Sequence, residues 1–144
     1  MSDKYEFASH GWFEALRRTI ERTVRAAGPE IDEVRWSACE VFVGVPAHLV
    51  QTDDGKAAWH CRVRGRDVEF GLGEIEDADL KIVADYATAL PLARVRLSDL
   101  GAQAQVEEAL AQAAMKGLIR IHGSLEARPP VLAGLHDAMV AVTA

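Results

Sequence analysis

"KGLIRIHGS", Lys116 to Ser124, is the stretch that decides the fold of this 144-residue chain. Two glycines bracket five residues in which Ile119 and Ile121 alternate with other side chains. A repeat of two residues is typical of a β-strand with one apolar face, and the stretch is too short for a helix. Segments typical of helices lie on both sides. The pattern therefore predicts a strand between two helices near the C-terminus.

Four more strands are predicted upstream. They cover residues 34–45, the two arms of a hairpin that turns at Gly65-Arg66, and residues 78–85. The apolar positions that alternate in the hairpin and in the fourth strand are Trp59, Cys61, Val63, Val68, Phe70, Leu72, Leu80 and Ile82. Residues 34–45 alternate imperfectly, which leaves the face of Trp36 open. A β-bulge would reconcile Trp36 with Val41 and Val43.

Helical periodicity predicts the remaining elements. A first helix covers residues 11–27, opened by Ser9 or His10, and a short one containing Pro91 follows an Asp85 cap. An Ala-rich helix covers residues 98–115, capped by Ser98 or Asp99. The last helix, residues 131–142, is apolar nearly all round. Such a helix must bury more than one face, against the sheet and against a lipid-like ligand, a second subunit or further core.

The order of these elements predicts an α+β fold within a single domain, residues 1–144. Hairpin connections imply a five-stranded, mostly antiparallel sheet, and helices grouped at the ends cover one face of it. The helical crossover before Ile119 is long enough to place the fifth strand beside the fourth.

The composition limits the classes of molecule that the protein is expected to bind. The net charge of −6 argues against nucleic acid, and no stretch reaches the roughly 18 apolar residues that stable membrane insertion requires. We expect a cytoplasmic protein, in which Cys39 and Cys61 are free buried thiols. The histidines and cysteines lack metal-ligand spacing, and no nucleotide or hydrolase motif occurs, so neither a metal, a cofactor nor a catalytic residue is predicted.

The second half of the chain resembles the sterol carrier protein 2 family, also called non-specific lipid-transfer proteins. The similarity rests on "DADLKIVADYATALPLAR", which begins at Asp77, on "AAMKGLIRIHGSLE", which begins at Ala113, and on the apolar segment that follows. The resemblance implies an apolar tunnel between sheet and helices that takes fatty acids, acyl-CoA, sterols or similar lipids. Residues 94–115 are longer than is usual for the family, which affects the expected size and entrance of the tunnel.

The leading hypothesis is non-catalytic binding or transfer of an apolar ligand in this tunnel, with a second copy of the chain or a partner enzyme as further candidate partners. The predicted ligand-binding residues are Trp59, Phe70, Leu80, Ile82, Leu92, Met115, Ile119, Ile121, Leu132, Leu135 and Met139. The alternative interpretation of these residues is a dry core.

Two other hypotheses stay open at this point. One is a small α+β pocket enzyme that resembles ketosteroid isomerases or polyketide cyclases, and the other is a homodimerising accessory module. Glu40 is the one carboxylate that interrupts an apolar strand. In a pocket it would have a raised pKa and could act as a general base. The default expectation is that it lies on the wet face or at a bulge.

Overall fold

The computed structural model describes residues 3–144, which form four α-helices and one sheet. The strands are β1 (Arg35–Val43), β2 (Ala57–Arg64), β3 (Asp67–Leu72), β4 (Leu80–Asp85) and β5 (Ile119–His122). They lie in the order β3-β2-β1-β4-β5. Only β1 and β4 are parallel, and the other three pairs are antiparallel. The predicted α+β fold with a five-stranded, mostly antiparallel sheet is confirmed.

The strand inside KGLIRIHGS forms one edge of the sheet. Ile121 lies opposite Ile82, and Ile119 lies opposite Ala84, so the predicted pairing of the fourth and fifth strands is confirmed. The glycine that ends β5, Gly123, has a φ of +94°, and a Cβ there would collide with the backbone carbonyl of Asp79. Only glycine fits where the chain leaves β5 so close to the start of β4.

The imperfect alternation of apolar and polar residues in β1 is not caused by a bulge. The β1–β2 ladder is continuous from Arg35 to Phe42, so the bulge hypothesis is wrong. β1 is the central strand and is buried on both faces, so both faces carry apolar side chains. Trp36 and Glu40 share the face that the helices cover, and Val41 lies on the opposite face.

The helices are α1 (His10–Ala26), α2 (Tyr86–Leu92), α3 (Ala102–Met115) and α4 (Leu135–Val140). Ser9 caps α1 by accepting a hydrogen bond from Trp12 N, and the Asp85 carboxylate caps α2 through Thr88 N, as predicted. The predicted caps of α3 are wrong. Gly101 precedes that helix in a left-handed conformation. The preceding turn is held from elsewhere, because Asp137 accepts from the backbone amides of residues 97 and 98.

The predicted last helix is broken into two pieces, and this corrects the expectation of one apolar helix over residues 131–142. A single 3₁₀ turn covers Pro130–Leu132, and α4 begins only after Gly134. Leu132 and Met139 are buried, and both pieces pack on α1. The apolar side chains of this segment therefore find partners within the chain. They do not by themselves require a ligand or a second subunit.

Candidate ligand-binding site

The helices cover one side of the sheet, called here the inner face, which carries Trp36, Glu40 and Phe42 of β1. The registers of the five strands place Trp59 and Ile82 on the same side, together with every second residue counted along each strand from these positions. Every inner-face side chain of these strands is apolar except that of Glu40. The inner face is thus an apolar surface with one carboxyl group near its middle.

The helical cover over this surface is uneven. α1 buries seven side chains and forms the firm part of the cover. α2 buries none completely, α3 buries only Ala102 and Ala113, and α4 buries only Met139. Elements with few buried apolar contacts are those that open at low free-energy cost. The mobile side of the cover is expected over β4 and β5, where α2 and α3 pack.

One transverse row of the inner face combines apolar and polar character. This central row consists of Leu72, Trp59, Glu40, Ile82 and Ile121, one residue from each strand in sheet order. Its two ends are open, since Leu72 is 46% and Ile121 36% exposed. Trp59 is buried and stacks on the ring of Phe70 at a centroid distance of 5.8 Å. The row therefore runs from solvent at one edge of the sheet to solvent at the other.

The predicted ligand-binding residues fall into three groups. Five are buried in the core: Trp59, Leu80, Ile119, Leu132 and Met139. Four are half-buried and pack against that core: Phe70, Ile82, Leu92 and Leu135. The last two, Met115 and Ile121, are exposed.

Met115 does not lie with the other predicted ligand-binding residues, so its prediction as a ligand-binding residue is corrected. It is the last residue of α3 and is 89% exposed. The reason is that α3 buries only Ala102 and Ala113, with Leu110 half-buried against the core, so most of its other side chains are exposed. Ile121 keeps its place on the inner face, at the open end of the central row. At this exposure Ile121 is not part of a dry core, which was the alternative interpretation of the predicted residues.

Glu40 contradicts the default expectation of a wet or bulged position. It lies half-buried on the inner face, and its Oε1 accepts a hydrogen bond of 3.1 Å from Trp59 Nε1. Among residues 3–144 its Oε2 has no hydrogen-bond partner. Burial raises the pKa of Glu40 from 4.5 to about 7, although the Trp59 hydrogen bond and the charge of Arg128 act to lower it.

Trp36 carries a second unpaired polar atom on the inner face. Its Nε1 is buried, and it lacks a hydrogen-bond partner in the described part of the chain. Neither this atom nor the placement of Glu40 was predicted. The sequence did contain a signal for the position of Glu40. A strand with apolar residues on both faces has no solvent-facing side on which a carboxylate could lie.

The other candidate groups do not assemble a reactive site. Cys39 and Cys61 are free and buried as predicted, and they point to opposite faces of the sheet. Burial raises the pKa of Cys61 to about 12, which keeps the thiol protonated. His60 lies on the outer face, where its Nδ1 contacts the carbonyl of Gly73. Within residues 3–144, no cluster of three or more His, Cys, Asp or Glu side chains is placed to hold a metal ion.

Two shallow cavities lie away from the central row. One, of about 160 Å³, is between the N-terminal segment and α1, beside Tyr5, Arg18 and Arg22. The other, of about 280 Å³, lies at the end of β1 and β2, beside Arg62 and Asp79. Neither is lined by a predicted ligand-binding residue, so the apolar tunnel between the layers stays a prediction.

Superposition on solved structures identifies the fold. A sterol carrier protein domain 2 of Helicoverpa armigera superposes with a TM-score of 0.53 at 13% identity, covering 97% of this chain and 96% of that one. The chain has the sterol carrier protein 2 fold. A conserved hypothetical protein of Thermus thermophilus, whose name suggests a sterol carrier protein, superposes with a TM-score of 0.50 at 20% identity. That match covers 99% of this chain and 92% of the other.

These superpositions confirm the predicted resemblance at the level of the sterol carrier protein 2 fold, over nearly the whole chain. No protein-family model and no curated protein matches the sequence. A search of residues 3–144 finds no helix long and apolar enough to cross a membrane.

Proposed function

We propose that the chain binds and transfers an apolar ligand held between the inner face of the sheet and the helices α2, α3 and α4. The observation that carries this proposal is the uneven cover of the inner face. α1 is firmly packed, whereas the other helices bury three side chains between them. A carrier needs a stable apolar surface for its ligand and covering helices that separate from that surface at low free-energy cost.

The central row supplies this apolar surface. Ile82 is half-buried and Ile121 is partly exposed, so apolar surface already lies at the edge of the helical cover. Burying apolar ligand surface contributes roughly 25 cal/mol per Å², which is available to offset the opening of weakly packed helices. The same fold in sterol carrier domains supports this use of the inner face.

No bond is made or broken in this proposal. The thiols are buried and protonated, and the inner face carries a single carboxyl group without a second acid or base on the neighbouring strands. General acid–base catalysis requires a group within hydrogen-bond reach of the proton that moves, and commonly a partner of different pKa. Binding is the activity that this arrangement favours.

Titration with a fluorescent sterol tests the proposal. Ile82→Trp adds bulk to the inner face and should weaken sterol binding at least tenfold, because the larger side chain takes up ligand space. Val83→Trp is the matched control, since Val83 is the next residue of β4, also half-buried, and lies on the outer face. It should leave the affinity within about twofold. Melting temperatures of both variants separate lost binding from lost folding.

Equal loss of binding in the two variants would contradict a site on the inner face. Failure of the wild-type protein to bind sterol, fatty acid or long-chain alcohol at micromolar concentration would contradict the carrier function itself. In that case the homodimerising module becomes the leading hypothesis, and the mass of the protein in solution tests it.

A further inference from the structure

We infer that Glu40 is the polar recognition point of the site and selects an apolar ligand with a hydroxyl head group, in preference to a fatty-acid anion. This inference rests on the proposed function. Ligand sites are mostly apolar surfaces with a few placed polar groups that fix orientation. Glu40 is the only carboxyl side chain that the strands place on the inner face, where Trp36 and Trp59 add indole N–H groups.

The geometry of the carboxyl group fits this role. Trp59 Nε1 holds Oε1 at 3.1 Å, which fixes the side chain, and Trp59 is itself stacked on Phe70. Oε2 makes no hydrogen bond within residues 3–144. An acceptor that is fixed, free and surrounded by apolar side chains binds a donor strongly, because water competes poorly for it.

The charges around Glu40 favour a neutral head group. Arg128, which follows the short turn Leu125–Ala127, is the cation whose field reaches the carboxyl group. An ammonium group is attracted by an ionised Glu40 but repelled by Arg128, and a carboxylate is attracted by Arg128 but repelled by an ionised Glu40, so neither ion meets a uniformly favourable field. A hydroxyl group avoids both repulsions and donates to the ionised carboxylate.

Three other titratable side chains, on β1, β2 and α2, stay uncharged around pH 7. On β2, Cys61 is a protonated thiol with a pKa of about 12, and on α2, burial raises the pKa of Tyr86. Cys39 of β1 points to the outer face, and burial raises its pKa. The inner-face residues of β4 and β5 are not titratable. Since the pKa of Glu40 is about 7, its charge changes within an accessible pH range.

The test compares hexadecanol, its methyl ether and palmitate as competitors of a fluorescent sterol at pH 6 and pH 8.5. At pH 8.5 Glu40 is an ionised acceptor, and the ether cannot donate to it. The wild-type protein should bind hexadecanol about tenfold more tightly than the ether, which corresponds to about 1.4 kcal/mol. Palmitate needs the protonated carboxyl group, so its affinity should fall about 30-fold from pH 6 to pH 8.5.

Two variants of Glu40 and one control sharpen the comparison. Glu40→Met removes the acceptor and should abolish the preference for hexadecanol over the ether. Glu40→Gln keeps an oxygen for Trp59 without a charge, and it should bind palmitate equally at both pH values. Glu69→Gln makes the same chemical change on the outer face of β3, at an exposed position, and should behave as wild type. Circular dichroism verifies that each variant is folded.

The outcomes separate the two proposals. If the wild-type protein binds the three compounds without preference, or if Glu40→Met keeps the preference, Glu40 is not the recognition point, while the carrier function stands. If the wild-type protein binds none of the compounds, the carrier function fails, and the role of Glu40 fails with it.

Discussion

Replacing Glu40 by Gln should stabilise the protein at alkaline pH and leave its stability nearly unchanged in acid. Burial raises the pKa of this carboxyl group in the folded protein from 4.5 to about 7. Between these two pH values the folded state holds a proton that the unfolded state has released. The free energy of unfolding contributed by Glu40 therefore falls as the pH rises through this window and becomes level above pH 7. Gln is neutral throughout and escapes this loss.

The magnitude follows from the two pKa values. One pH unit of difference corresponds to about 1.36 kcal/mol, so the full loss amounts to about 3 kcal/mol. The advantage of Glu40→Gln should grow from below about 1 kcal/mol at pH 5 to about 3 kcal/mol at pH 8. That is a large share of a typical stability of roughly 5–15 kcal/mol.

Urea denaturation at several pH values between 5 and 8.5 measures this difference. Glu69→Gln, on the exposed outer face of β3, is the control and should follow the wild-type curve within about 0.5 kcal/mol. Parallel stability curves for Glu40→Gln and the wild-type protein would refute the reasoning. They would mean that the carboxyl group is hydrated and not held on the apolar inner face.

Two further pairs of variants test the sheet. Ile119→Asp should prevent folding, because Ile119 is buried and an isolated carboxylate there costs several kcal/mol. Ile121→Asp should fold with a smaller loss, because Ile121 is exposed; circular dichroism distinguishes the two variants, and equal behaviour would contradict this difference in burial. Gly73→Ala should cost about 1–2 kcal/mol in urea denaturation, since its φ of +105° is strained for alanine but the space is open. Gly123→Ala should cost clearly more, because its Cβ also meets the Asp79 carbonyl, and equal costs would contradict this close approach.

The sequence predicted most of the fold because its edge and hairpin strands alternate cleanly. Trp59 and Phe70 show the two-residue period, and the glycines around Ile119 mark the ends of β5. The central strand was harder, since burial on both faces removes the alternation that reveals which way Trp36 points. The last helix was predicted too long because apolar periodicity cannot show that Gly134 interrupts it.

The candidate site was predicted less completely than the fold. Strand residues such as Ile82 could be placed on the inner face from their period, but the exposure of Met115 depends on how α3 packs beside β5. The position of Glu40 depends on the register between β1 and β2, which pairs it with Trp59. Register and helix packing are tertiary properties, and local periodicity does not contain them.

Native mass spectrometry of freshly purified wild-type protein tests the central claim most directly. The account predicts a species heavier than the 15.7 kDa chain by one small apolar molecule, which disappears under denaturing conditions and is recovered by organic extraction. After extraction, the heavier species should form again when hexadecanol or sterol is added. A protein that shows only the mass of the bare chain, both as purified and after addition of sterol, fatty acid and long-chain alcohol, would contradict the account.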